Sequence, residues 1–193
     1  MMHKIHIIAA LLPLAACTPM QSKSAGEIKA LGTESSSEVR VASLYAVDTA
    51  NPAGPLNLHG TAVLSVTGDT AQLIVDTVLP GNAEYGMHLH SVGKCDAPDF
   101  VTAGPHWNPS SKQHGRDNPA GTHQGDLPNI KTTEFSGAFG SAYAKSNFLI
   151  AGGVSPFDAD GVALVIHEKP DDYATDPSGN SGKRVICGVF TKQ

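Results

Sequence analysis

The sequence predicts an all-β domain, an antiparallel Greek-key β-sandwich or barrel of about eight short strands with two long functional loops. Three observations carry that expectation. Glycine (20 residues) and proline (13) are plentiful in the 193-residue chain while aromatic residues make up only 6%, a balance that favours many turns. Short apolar or alternating runs recur between turn signals. No window sustains the 3.6-residue apolar period of an amphipathic helix.

The first residues read as a targeting segment. Lys4 supplies a short basic start and residues 5–16 an apolar run too short to span a bilayer comfortably. The run ends in Leu14-Ala15-Ala16-Cys17, which resembles a bacterial lipobox, where the cysteine is lipidated and becomes the first residue of the mature chain. Residues 1–16 are therefore expected to be a signal peptide. Cys17 is expected to carry a lipid that holds the protein to a membrane of the cell envelope, with the domain in the periplasm. Residues 17–38 are rich in Ser, Ala, Lys and Glu without a periodic apolar face and read as a flexible tether. Residues 39–193 form the expected domain.

Within that domain, Val39, Val41, Leu44 and Val47 suggest a strand with one irregularity, and Asn51-Pro52-Ala53-Gly54-Pro55 is turn chemistry. Residues 61–66 and 71–79 flank Gly68-Asp69 and read as a hairpin. Residues 85–91 form a short strand in which His88 and His90 share one face while Met87 and Leu89 take the other. Residues 92–129 lack either period, and a loop this long is usually functional. Further strands are expected at 135–144, 148–150, 161–168 and 184–190, with a second long loop at 170–183.

The formal net charge is −5, or 12 − 18 = −6 without Lys4, and no run of Lys or Arg is present, so nucleic acid is excluded as a partner. With Cys17 lipidated, Cys95 and Cys187 remain, in a compartment where disulfides persist. Two free thiols are the alternative.

Nine histidines are present, and six fall in one constellation: His88, His90, His106, His114, His123 and His167. His106, His114, His123 and Asp126 form a three-imidazole, one-carboxylate set within one loop, a donor set that suits zinc. His88, His90 and His167 come from strands and offer only imidazole, which suits copper. Asp171, four residues after His167, could accept N–H bonds from ligand histidines and fix their tautomers.

The ordered motifs Gly86-Met87-His88-Leu89-His90, Ala103-Gly104-Pro105-His106, Ser111-Lys112-Gln113-His114-Gly115, His123-Gln124-Gly125-Asp126-Leu127, His167-Glu168-Lys169-Pro170-Asp171-Asp172 and Gly182-Lys183-Arg184-Val185-Ile186-Cys187 resemble the copper/zinc superoxide dismutase family from about Val39 to Phe190. The resemblance implies copper on His88, His90, His106 and His167, and zinc on His106, His114, His123 and Asp126, with His106 shared between them. It implies that Asp171 links His88 to His114, that Cys95 and Cys187 pair, and that Arg184 guides the substrate. It further implies the disproportionation of superoxide by a redox-cycling copper, with His106 delivering a proton, and a possible homodimer. An exported copper- and zinc-binding protein without activity is the competing reading. Three departures from the common pattern stand out: the insertion Asp96-Ala97-Pro98-Asp99-Phe100, Lys183 beside Arg184, and Ser178 where a threonine commonly lines the channel.

Overall fold

Alternation of inward apolar and outward polar residues builds the first three strands. In the computed structural model these are β1 (Ser37–Ala46), β2 (Asn57–Thr67) and β3 (Thr70–Pro80). The structure describes residues 37–192 except 49, 51–53, 137 and 138; the expected signal peptide, Cys17 and the tether up to residue 36 lie outside the described residues. The last two residues of the expected tether, Ser37 and Glu38, are already strand, because they pair with Thr67 and Val66 of β2. The β2–β3 hairpin turns at Gly68, whose positive φ of 60° suits a residue without Cβ.

Seven more strands follow: β4 (Glu84–Tyr85), β5 (Met87–His90), β6 (Ile130–Ser136), β7 (Phe139–Leu149), β8 (Ala163–His167), β9 (Arg184–Val189) and β10 (Thr191–Lys192). All strand pairs are antiparallel. The described residues thus hold ten strands, the two-residue β4 and β10 accounting for the excess over eight. The sheet order is β4-β6-β7-β3-β2-β1-β9-β8-β5, with β10 on β1. Its two ends, β4 and β5, are consecutive in the chain through Gly86, so the sheet curls into a nearly closed Greek-key barrel.

One expectation is corrected. Residues 135–144 and 148–150 are not two strands; β6 and β7 form a hairpin, and β7 runs unbroken through Lys145-Ser146-Asn147. Those polar residues stay in the strand because they sit opposite Ile74, Leu73 and Gln72 of β3, and Gln72 donates its side-chain amide to Asn147 Oδ1 at 2.9 Å. The pairing surface outweighs low intrinsic strand preference.

Two apolar clusters position the site. The barrel interior packs Leu44, Leu64, Leu73, Leu79, Met87, Leu89, Leu164 and Ile166 among others. A smaller cluster of Phe100, Ala103, Ala163, Val165 and Cys187 lies on the other face of β8 and β9, beneath the loop that follows β5. Met87 and Leu89 belong to the interior, so His88 and His90 project outward under the loops.

Candidate metal centre

β5 is hydrogen-bonded on both sides. β8 takes one edge, with His88 opposite Val165 and His90 opposite Ala163. The long loop 91–129 takes the other: His90 bridges to His106 and His88 to Asp126. Three backbone bonds lock this arrangement, Leu89 N–H to Gly125 O at 2.9 Å, Trp107 N–H to Leu89 O at 2.7 Å and Gly125 N–H to Trp107 O at 2.8 Å. A Cβ on Gly125 would collide with Leu89 O, so only glycine admits this approach. Residues remote in sequence thereby reach the same edge, and His167 arrives at the end of β8.

The six histidines and Asp126 converge on two adjacent sets. In the first, Nδ1 of His106, His114 and His123 lie 3.0, 3.0 and 3.1 Å from Asp126 Oδ1. His123 Nδ1 is 3.4 Å from His106 Nδ1. A tetrahedral zinc with bonds of about 2.0–2.1 Å holds its donors about 3.3 Å apart, close to these spacings. The other oxygen of Asp126 is fully engaged, accepting from Gly115 N–H (2.9 Å), Thr122 Oγ1 (2.8 Å) and His123 N–H (3.0 Å), so one oxygen is left to face a cation. His88 also comes within 4.8 Å of His106, His114 and Asp126, but its Nε2 is committed elsewhere, and His123 is the better fourth donor.

The second set is defined by what is missing. His88 Nδ1, His90 Nε2, His106 Nε2 and His167 Nε2 are buried ring nitrogens without a hydrogen-bond partner. These four residues place donor atoms within 4.8 Å of one another. Leaving a buried polar atom unpaired costs roughly 1–3 kcal/mol, so four together mark a site built for a ligand that accepts lone pairs. The opposite nitrogen of each ring is anchored. His88 Nε2–H donates to Asp171 Oδ2 (2.8 Å), His90 Nδ1–H to Gly104 O (2.8 Å) and His167 Nδ1–H to Gly182 O (3.2 Å), while His106 Nδ1 faces Asp126. The anchors fix which nitrogen presents its lone pair. A copper ion fits the second set by donor chemistry, as zinc fits the first. His106 belongs to both, one nitrogen facing each.

Electrostatics separates the four unpartnered rings from His114. Burial pushes His106 down to about 4 and His167 down to about 3, and it also lowers His88 and His90, so these imidazoles are neutral donors at pH 7. Burial acts on His114 in the same direction, but the carboxylates of Asp126 and Asp171 at its two nitrogens raise it to about 9. Both carboxyls are depressed by their histidine hydrogen bonds despite burial.

Asp171 joins the two sets. Its Oδ1 faces His114 Nε2 at 3.0 Å and accepts Tyr173 N–H at 2.7 Å, while Oδ2 takes His88. Asn129 clamps its backbone, accepting Asp171 N–H at 2.9 Å and donating to Asp171 O at 3.0 Å. A Cβ on Gly179 would overlap Asp171 Oδ1, which requires glycine above the bridge.

Arg184 begins β9 and is half-buried. It lines a cavity of about 420 Å³ with His90, Val101, Gly104, Pro105, His106, His167, Pro177, Ser178 and Gly182. Its Nη1 donates to Phe100 O at 2.7 Å and its Nη2 to Gly104 O at 2.8 Å. Lys183 is exposed, and its N–H donates to Glu168 Oε1 at 3.1 Å. Cys95 and Cys187 form a disulfide, with sulfurs 1.98 Å apart. Sequence reasoning gave no site role to Phe100, Gly104, Thr122, Asn129 or Gly182, although Phe100 stood in the noted insertion and the two glycines in quoted motifs. Most act through backbone atoms, which leave no residue signature; Phe100 left one, as a large apolar side chain in an Asp- and Pro-containing loop.

A family model described as copper/zinc superoxide dismutase (SODC) matches residues 58–190. "Superoxide dismutase [Cu-Zn] 1" of Aquifex aeolicus is 49% identical over 112 residues, covering 58% of this chain and 66% of that protein. The chain thus spans slightly under two thirds of that relative. "Superoxide dismutase-like protein YojM" of Bacillus subtilis is 44% identical over 120 residues, covering 60% of this chain and 59% of that one. "Superoxide dismutase [Cu-Zn]" of Cordyceps militaris is 33% identical over 146 residues, covering 71% and 92%. The crystal structure of a SOD-like protein from Bacillus subtilis superposes with a TM-score of 0.65 at 33% identity, covering 78% of this chain and 97% of that one. Apart from β1, β10 and the first residue of β2, the matched segment contains every strand of the described barrel and every member of both donor sets, and the chain belongs to the copper/zinc superoxide dismutase family.

Proposed function

We propose that the protein disproportionates superoxide: two superoxide anions and two protons give dioxygen and hydrogen peroxide. The observation that carries this reading is the group of four unpartnered, buried imidazole nitrogens beside the Arg184 cavity, adjacent to the Asp126 cluster. In this reading His88, His90, His106 and His167 hold copper, and His106, His114, His123 and Asp126 hold zinc. Copper, when bound, supplies a one-electron couple between Cu(II) and Cu(I), while zinc is redox-inert and braces the loop.

The chain's own residues do the rest. Arg184 is permanently cationic and its donors suit a small anion. Burial lowers its pKa, yet it stays far from neutrality at pH 7. The cavity places that charge on the substrate's path, which matters because the chain is net negative. His106 Nε2 lies at the edge of the cavity, so whenever its lone pair is not given to copper it is the atom placed to hold a proton and release it toward departing peroxide. Asp171, Gly104 O and Gly182 O keep the rings from rotating as charge changes.

The test is superoxide decay by stopped flow, comparing copper/zinc-loaded protein, a zinc-only form and Arg184→Ala. Copper-dependent decay that falls about tenfold in Arg184→Ala, with a weaker dependence on ionic strength, is the expected result. Full copper occupancy without acceleration would replace the enzyme with a metal-binding protein.

We further propose that the protein is exported and lipid-anchored through Cys17 in the cell envelope. The apolar run before Leu14-Ala15-Ala16-Cys17 supports this, as does a disulfide in the domain. Cys17→Ser is expected to move the protein from the membrane to the soluble fraction; unchanged membrane retention would sink the lipoprotein reading.

A further inference from the structure

The insertion Asp96–Phe100 carries one large apolar residue, Phe100, and that side chain is fully buried. It packs with Ala103, Ala163, Val165 and Cys187 on the outer face of β8 and β9. Its backbone lies at φ 56° and ψ 22°, a left-handed conformation that strains a non-glycine residue. Burial of the phenylalanine ring offsets that strain and holds the backbone there. Two hydrogen bonds frame the same turn, Phe100 N–H to Asp96 O at 3.0 Å and Ala103 N–H to Phe100 O at 3.1 Å. The Phe100 carbonyl also accepts from Arg184 Nη1 at 2.7 Å.

Gly104 O is the second acceptor for the guanidinium and also takes the Nδ1–H of His90. Two fixed carbonyls, one at each end of the Val101–Ala103 turn, therefore define the plane of the fork. A charged donor bonded to two fixed acceptors loses most of its rotational freedom, and its remaining N–H groups stay available to an anion.

We propose that Phe100 is a positioning residue for Arg184: its buried ring seats the carbonyl that orients the guanidinium toward the cavity. The inference rests on the reading that Arg184 meets an anion there. It assigns to the insertion a function in aiming the arginine, and it predicts that the ring matters rather than the backbone alone.

The experiment compares Phe100→Ala, Phe100→Gly and Phe100→Leu in the full chain. Phe100→Gly accepts the left-handed backbone without penalty and keeps the carbonyl but removes the anchor. Phe100→Leu keeps most of the burial. Disulfide formation and metal content are checked first. Two readouts follow: azide affinity of the copper/zinc-loaded protein by absorbance titration, and phenylglyoxal modification of Arg184 in metal-free protein, mapped against Arg40 and Arg116 as internal references. In the Ala and Gly variants, azide affinity should weaken about three- to tenfold and Arg184 should be modified faster by a similar factor, the scale of one ordinary hydrogen bond, because only one of the two carbonyl anchors is loosened. Phe100→Leu should stay within about twofold of the unsubstituted protein, since burial is conserved. Phe100→Gly with intact disulfide and metals, but unchanged azide affinity and labelling, would overturn the proposal. If Phe100→Ala fails to fold, the Gly and Leu variants still decide it. The labelling does not depend on superoxide turnover, so an inactive unsubstituted protein would count against the enzyme and leave the role of Phe100 separately measurable.

Discussion

Replacing His90 with alanine is expected to lower copper-dependent superoxide decay by roughly 100-fold or more while leaving zinc content unchanged. A ligand loss should exceed the 10–100-fold typical of losing a group that only supports a ligand. His90 supplies one of the four unpartnered nitrogens and takes no part in the Asp126 cluster, whose rings are His106, His114 and His123. Among the described residues, the donors left to the copper set after the change are His88, His106 and His167. The substitution also frees a lone pair on Gly104 O, which Arg184 still engages, so the guanidinium keeps its seat. Stopped-flow decay and metal analysis on the same sample check the prediction. Equal loss of zinc and copper would mean that the two halves are not separable as the geometry implies. Undiminished decay would remove His90 from the catalytic set.

The second large effect is on stability. Cys187→Ser opens a disulfide between residues 92 apart in sequence, a loop for which the chain-entropy relation gives about 4–5 kcal/mol. For a domain of this size each kcal/mol moves Tm by about 2–4 °C, so a fall of about 10 °C or more is expected in the metal-free protein. Activity should fall as well. Cys187 packs on Phe100, whose carbonyl holds Arg184, and Arg184 lies three residues before Cys187 on β9. Cys95→Ser serves as the companion variant, because it breaks the same bond without placing a hydroxyl at the buried position 187. Scanning calorimetry on both variants checks the prediction. A shift below about 2 °C in both would mean that the disulfide constrains the unfolded chain far less than loop closure requires.

Much of this molecule is written in local sequence. The alternation Met87-His88-Leu89-His90 sends two histidines to one face and two apolar side chains to the other, and strand geometry allows nothing else. The turn at Gly68 follows from backbone freedom, and the class of the donors follows from residue type. Even so, local reading mistook the β6–β7 hairpin, because Lys145-Ser146-Asn147 read as loop until β3 lies alongside them. It also sorted the ligands by segment, strand against loop, and the sharing of His106 came only through resemblance. That sharing is a tertiary fact. It exists because loop 91–129 folds back along the free edge of β5, where Gly125 lets backbone meet backbone and turns one ring's two nitrogens toward two different sets. The carbonyls of Phe100, Gly104 and Gly182 are tertiary facts too. Every residue carries a carbonyl, so sequence marks none of them as special, and only the folded chain decides which ones face an imidazole or a guanidinium.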